Sequence, residues 1–256
     1  MLLIHAIILG IIEGVTEFLP ISSTGHLILA SALLGIPETD FVKTFEITIQ
    51  LGAIAAVVVL FWRRFLDVQI LGKLFVAFLP TGIIGFLLYK LLKSYLIGNE
   101  WVVLWALGLG GVTLIAFEFW HKERPGASDD MHKITYLQAF LIGLIQSISI
   151  IPGVSRSAAT ILGGLSLGIK RVTIVEFSFL LAVPTMIAAT GYDLYKSATL
   201  FTVSDLGILL IGVAVSFIAA LFSIRYFLTY IRTRCFVPFG IYRIGVALLF
   251  LLFIIH

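Results

Sequence analysis

Six apolar runs, approximately 41–62, 71–92, 101–120, 173–196, 203–231 and 236–256, are each long enough to cross a bilayer, given the roughly 20 residues a spanning helix needs. Few folds remain open to such a chain. With no water in the hydrocarbon layer, backbone N–H and C=O groups must be satisfied within the protein, and only helices and closed barrels do that. Runs of this length select helices. Composition agrees: the chain is 60% hydrophobic and only 12% charged over 256 residues, about half the charged fraction of a soluble domain. The expected fold class is therefore an all-α polytopic membrane protein, organised as a single integral-membrane domain over 1–256. The apolar N-terminus lacks a basic leader and a small-residue cleavage site, so it reads as part of the fold rather than as a signal peptide. A single cysteine, Cys235, excludes an intramolecular disulfide and a cysteine-based metal site. The net charge of +3 is spread through short loops, which reports orientation rather than a nucleic-acid partner.

Two further apolar regions, 2–35 and 134–169, are interrupted near their middles by "LPISSTG" and "IPGVSRS". Proline removes a helical hydrogen bond, and the residue before it avoids helical dihedrals. Each region is expected to be two half-length helices around a break, a re-entrant hairpin shielded by protein or a water-filled cavity. The regions also match each other. Shifted by 133 residues without a gap, Gly10, Ser22, Leu29 and Gly35 fall on Gly143, Ser155, Leu162 and Gly168, and Glu13 falls on Gln146. Three spanning runs follow each hairpin. An odd number of spans between copies reverses their orientation, so the expectation is an inverted-topology repeat, 1–125 and 134–256, with a site near the midplane between the halves. If both hairpins return to their side of origin, one face carries Arg63, Arg64, Lys73, Lys122, Arg124, Lys133, Lys170, Arg171, Arg232 and Arg234; the other carries Lys43, Lys90, Lys93 and Lys196. The basic face is expected to be cytoplasmic, which puts the first hairpin on the outer side.

The breaks concentrate the chemistry. A charge at the bilayer centre costs roughly 2.5–3.5 kcal/mol, yet Glu13 and Glu17 stand four residues apart and so on one helix face. Either one carboxyl is protonated, which makes a proton donor, or a cation lies between them, which makes an oxygen site for Mg²⁺ or Ca²⁺; a peripheral helix whose carboxylates reach the headgroups is the third reading. Ser22, Ser23 and Thr24 are suited to cap the following half-helix, with His26 in its first turns. A helix N-terminus also attracts anions. In the second break, Gly153, Ser155, Ser157 and Thr160 surround Arg156, whose permanent charge and fork of donors match phosphate. A structural ion pair with Glu13 or Glu17 is the alternative, but two helix N-termini, an arginine and several hydroxyls together read as a phosphate pocket. Glu46, Gln50, Glu176 and Arg243 are expected to brace the bundle, and Glu118, Tyr192 and Asp193 to be solvated at span ends.

These motifs resemble a known family, the undecaprenyl-diphosphate phosphatases of the bacitracin-resistance type. The matching segments are "EGVTE", "PISSTGH" and "PGVSRSAAT", and the similarity extends through "KTFEITIQLGAI" and "EFSFLLAVPT". The other lipid-phosphatase family, with K-x6-RP, PSGH and SR-x5-H motifs, fits poorly. The resemblance implies hydrolysis of undecaprenyl diphosphate to the monophosphate and inorganic phosphate, in the bacterial cytoplasmic (inner) membrane, with a polyprenyl diphosphate as substrate and membrane lipids and a homodimer partner as further contacts. It implies Glu13 and Glu17 as the motif carboxylates, Ser23 and His26 as candidate nucleophile or base, and Arg156 as the diphosphate clamp. In the phosphatase reading Glu17 is a catalytic acid/base or, with Glu13, a ligand of a divalent cation, and Ser23 or His26 attacks or activates water. The expected phosphate contacts are Ser22, Thr24, Gly153, Ser155, Ser157 and Thr160. A transporter or flippase using the same midplane site is the alternative activity, because broken helices in inverted repeats are also transporter architecture. A scaffold role leaves the costly polar breaks unexplained.

Overall fold

The structure, a computed structural model, describes residues 1–37, 39–96, 99–122, 127–197 and 203–255. Of the charges that set the expected orientation, Arg124 and the side chains of Lys90, Lys93 and Lys196 lie outside what is described. The described residues form helices α1 (Leu3–Thr16), α2 (Ser23–Leu33), α3 (Asp40–Phe61), α4 (Val68–Tyr95), α5 (Glu100–Trp120), α6 (Tyr136–Gln146), α7 (Arg156–Ser166), α8 (Arg171–Ser197), α9 (Val203–Ile231) and α10 (Val237–Ile255), with short 3₁₀ turns between some of them. No strand occurs among them; one isolated bridge joins Ser128 to Ile169. Five stretches are long and apolar enough to cross a membrane: Asp40–Leu66, Val68–Leu88, Glu100–Trp120, Arg171–Tyr195 and Leu206–Ile231. The chain is a multi-pass membrane protein. Large apolar side chains such as Phe86, Leu109, Phe222 and Leu248 are exposed along its sides, a surface that water would not tolerate on this scale.

Local chemistry explains the starts of these helices. Thr39 caps α3, and Asn99 caps α5 by accepting from the N–H groups of Trp101 and Val102. Thr135 and Gln138 form a reciprocal capping box on α6. Both broken regions appear as pairs of short helices, α1–α2 and α6–α7. The second pair returns to its starting end, because Gln138 at the start of α6 donates to the carbonyl of Leu167 after α7 at 3.0 Å. Helix α1 packs on α9 and α6 packs on α4, while α5 pairs with α10. Glycines allow the close approaches: a Cβ at Gly10 would lie 2.7 Å from the Gly212 carbonyl, and one at Gly143 would collide with that of Ala77. Small residues let backbones meet in this way where lipid removes any hydrophobic drive to associate. The main core joins α1, α8 and α9 through Phe18, Phe179 and Phe227, with Phe18 edge-on to Phe179 at 5.2 Å.

The bracing residues behave in different ways. Glu46 accepts from Ser31 of α2 at 2.7 Å and so ties α3 to the first hairpin. Glu176 instead faces Arg64 at 3.9 Å, away from the breaks. Glu118 is not merely solvated: it takes Arg171 through both oxygens at 2.7 and 3.1 Å and accepts from the Phe236 N–H. Arg243 is fully buried, and its guanidinium meets no carboxylate. It donates to five carbonyls, those of Pro20, Ala106, Leu107, Gly153 and Val154, at 2.8–3.3 Å. Room for the guanidinium exists because position 110 is glycine; a Cβ there would overlap it.

Candidate active site

The two breaks share one backbone device. Ser22 and Ser155, both N-caps, sit at φ 71° and 76°, and among the described residues they are the non-glycine positions with positive φ. That conformation costs an L-residue roughly 1–2 kcal/mol, and each serine offsets part of it by capping: Ser155 Oγ accepts from Ala158 N at 3.2 Å, and Ser22 Oγ from Gly25 N at 3.5 Å. Gly153, at φ 92°, lets the second turn lie against the α5 backbone, where a Cβ would meet the Val103 carbonyl at 2.8 Å. Helix α1 ends at Glu17 and α7 starts at Arg156, so the turns deliver a carboxylate and a guanidinium to the same place.

They meet there. Arg156 Nη2 donates to Glu17 Oε1 at 2.7 Å, and Ser23 Oγ donates to Glu17 Oε2 at 2.5 Å. Glu17 and Ser23 are each 7% exposed. The guanidinium is held from behind: Nη1 donates to the Ser178 carbonyl at 2.9 Å, Nη2 touches Met186 Sδ at 3.6 Å, and the group lies over the Phe18 ring at 5.5 Å. Its Nε is buried without a partner. Glu13, one turn before Glu17, is completely buried and neither of its oxygens has a partner. The two carboxylates on one face are thus brought together with Ser23 and Arg156, and the readings of peripheral carboxylates and of solvation at headgroup level do not describe them.

His26 is placed apart from Ser23. Its Nδ1 donates to the Ser22 carbonyl at 2.7 Å, which leaves the neutral ring's Nε2 to accept from the Tyr242 hydroxyl at 2.9 Å; the two rings stack at 5.4 Å. Of the expected phosphate contacts, Thr24 is exposed in the first turn of α2. Ser157 and Thr160 are fully buried and bonded inward, Ser157 to the Leu19 carbonyl at 2.7 Å and Thr160 to Ser178 Oγ at 2.5 Å. Ser155 shares a 3.0 Å bond with Ser157. Those hydroxyls join the two breaks to each other and to α8. Sequence reading missed Phe18, Ser178, Met186 and Tyr242 as partners of the site; the last three come from helices that no spacing ties to the breaks. Only Phe18 had a signal, its position directly after Glu17.

Among the described residues no group of three or more His, Cys, Asp or Glu converges. The acidic donors at the site are Glu13 and Glu17, and Glu13's two buried oxygens, without hydrogen-bond partners, are the kind of donor a hard cation takes.

The family described as "Bacitracin resistance protein BacA" matches residues 6–249. A protein named undecaprenyl-diphosphatase from Sulfurihydrogenibium sp. is 51% identical over 249 residues, covering 97% of this chain and 98% of its own length. Its namesakes from Aquifex aeolicus and Wolinella succinogenes are each 52% identical, over 250 and 251 residues, covering 97% and 98% of this chain and 97% of their own lengths. With a match of that extent to motifs that meet in space, the chain belongs to the bacitracin resistance protein BacA family.

Proposed function

We propose that this protein is an integral-membrane phosphatase that hydrolyses undecaprenyl diphosphate to undecaprenyl phosphate and inorganic phosphate, recycling the lipid carrier of cell-wall synthesis. One observation carries the reading: a buried serine hydroxyl, a carboxylate and an arginine in a single hydrogen-bonded line, Ser23–Glu17–Arg156. When the terminal phosphate enters, it competes with Glu17 for Arg156. Arg156 then holds two phosphate oxygens in its plane, and Glu17, relieved of its counter-charge, accepts the Ser23 proton. Ser23 Oγ bonds to the terminal phosphorus as the bridging P–O bond breaks, and undecaprenyl phosphate leaves. Glu17 passes that proton to the departing undecaprenyl phosphate. Ionised again, it takes a proton from water, whose oxygen bonds to the phosphoserine phosphorus as the Ser23 Oγ–P bond breaks. Glu17 returns the proton to Ser23 Oγ as inorganic phosphate leaves. Such transfer depends on positioning and charge stabilisation rather than elaborate covalent chemistry. The N-terminal N–H groups of α2 and α7, with Ser22, Thr24, Gly153 and Ser155 around them, face the transferring group; Ser157 and Thr160 hold the second break to the first.

Glu13 and Glu17 are the residues that would hold Mg²⁺ or Ca²⁺. When bound, the cation supplies positive charge to the developing phosphate charge. His26, fixed by Ser22 and Tyr242, orients the start of α2 behind Ser23. The architecture proposed around this site is a single membrane domain of two inverted repeats, 1–125 and 134–256, with six spanning helices and two re-entrant hairpins in the bacterial cytoplasmic membrane, opening to the outer side. Its supports are the 133-residue match, the identical offset between Ser22 and Ser155 and between the positive-φ Gly35 and Gly168, and the exchanged packing of α1 on α9 and α6 on α4. Purified protein supplied with undecaprenyl diphosphate and Mg²⁺ or Ca²⁺ should release phosphate. A flippase reading predicts lipid movement in proteoliposomes without release, and that result would replace the proposal.

A further inference from the structure

A second polar site lies at the other end of the bundle, where α3, α5 and α9 finish and α4, α6 and α8 begin. A cavity of about 610 Å³ opens there, and none of its lining residues belongs to the two breaks. Five cations line it, Arg64, Lys170, Arg171, Arg232 and Arg234. Three are answered by carboxylates of the same wall: Arg171 by Glu118 at 2.7 Å, Lys170 by Asp129 at 3.6 Å and Arg64 by Glu176 at 3.9 Å. Arg232 and Arg234, which flank Thr233 on one short turn, make no ion pair within 4 Å and no side-chain hydrogen bond among the described residues; Arg232 lies within electrostatic reach of Glu176, and Asp130 is the fourth carboxylate of the wall. Thr173 also lines the cavity and is only 7% exposed. It stands in the first turn of α8, where the N–H groups lack intrahelical acceptors and the helix dipole favours an anion.

The surroundings fix the depth. Trp62, Phe119 and Trp120 are exposed at this same end, Trp120 at 86%, the position aromatic side chains take at a membrane–water boundary. Basic pockets between helix ends at that boundary suit phosphorylated lipid headgroups, and guanidinium forks match phosphate oxygens. We propose that this cavity is a phosphate-binding site separate from the catalytic breaks, formed by Arg232, Arg234, Thr173 and the α8 N-terminus, and that it takes a phospholipid headgroup or free inorganic phosphate.

The test uses full-length protein in nanodiscs of zwitterionic lipid, titrated in one arm with phosphatidylglycerol and in the other with inorganic phosphate. Bound ligand is read by native mass spectrometry and by the shift in unfolding temperature. Arg232→Gln/Arg234→Gln should weaken the binding by about tenfold or more, since each basic residue near the surface contributes about 1 kcal/mol toward anionic lipid. Thr173→Val should weaken it less. A control pair, Arg63→Gln/Lys122→Gln, removes the same charge from this face outside the cavity and should bind as wild type. Saturable binding in the lipid arm alone assigns a headgroup, and binding in the phosphate arm with the same dependence assigns free phosphate. Equal binding by the cavity variant and the control, or no saturable binding in either arm, overturns the proposal. Phosphate release from the prenyl substrate should be unchanged in Arg232→Gln/Arg234→Gln, so failure here and failure of the phosphatase reading are distinguishable.

Discussion

Two buried arginines show how context decides what a charge does. Arg156 is paired with Glu17, whose other oxygen takes the Ser23 hydroxyl; Arg243 faces five carbonyls and nothing that reacts. Replacing each by lysine should therefore fail in opposite ways. Arg156→Lys keeps the charge but not the planar fork, so the protein should fold and insert while kcat falls about 10²–10³-fold, the usual loss when a transition-state donor is removed. A rate within about twofold of wild type would leave Arg156 a structural counter-ion. Arg243→Lys leaves several carbonyls unpaired at about 1–3 kcal/mol each, so the loss should appear in yield and thermal stability. Glu17→Gln should stop turnover without unfolding the protein, because the amide accepts from Ser23 but cannot take its proton. Phosphate release at the wild-type rate in that variant would remove Glu17 from the chemistry. The sequence already displayed Glu17 and Arg156 as a carboxylate and a guanidinium that lipid would not tolerate unpaired. It could not display that Arg243 is answered by backbone oxygens, because every residue has a carbonyl and spacing does not mark which of them turn inward.

At the scale of elements, the short helices are set by their turns. Ser22 and Ser155 combine a cap with a left-handed backbone, two demands that pull residue choice apart. Ser155→Gly relaxes the backbone and loses the cap; Ser155→Ala loses the cap and keeps the strain. The glycine variant should thus unfold at the higher temperature, by about 1 kcal/mol in stability, and the reverse order would mean that the hydroxyl's bond to Ser157 outweighs the strain. Gly143→Val tests the seat of α6 on α4, since even a Cβ there collides with the Ala77 carbonyl; protease sensitivity of the second hairpin should rise. Proline, serine and glycine spacing marked both breaks because these residues act within a few positions of themselves. The partners that the breaks meet, Tyr242 against His26 and Ser178 against Arg156, come from helices whose local pattern is apolar like all the others, and nothing local sets them apart.

At the scale of the whole molecule, orientation is read by labelling from the two sides of the membrane. In a Cys235→Ser background, a cysteine at exposed Thr24 should react with a small water-soluble reagent from outside intact cells, whereas one at Lys122 should react only after the membrane is opened; the opposite pattern inverts the topology. The apolar runs made a multi-pass bundle legible, since bilayer thickness alone demands their length. The opening of the basic end into a lined cavity was not, because it depends on where six helix ends and a loop come to rest. One feature constrains motion as well as shape. Arg243 rivets Pro20 of the first break and Gly153 and Val154 of the second to α5. Five hydrogen bonds to a charged group, at roughly 1.5–3 kcal/mol each, sum to about as much as holds a whole domain folded. The two breaks are therefore tied to each other, and rocking one half of the bundle against the other would have to tear that rivet.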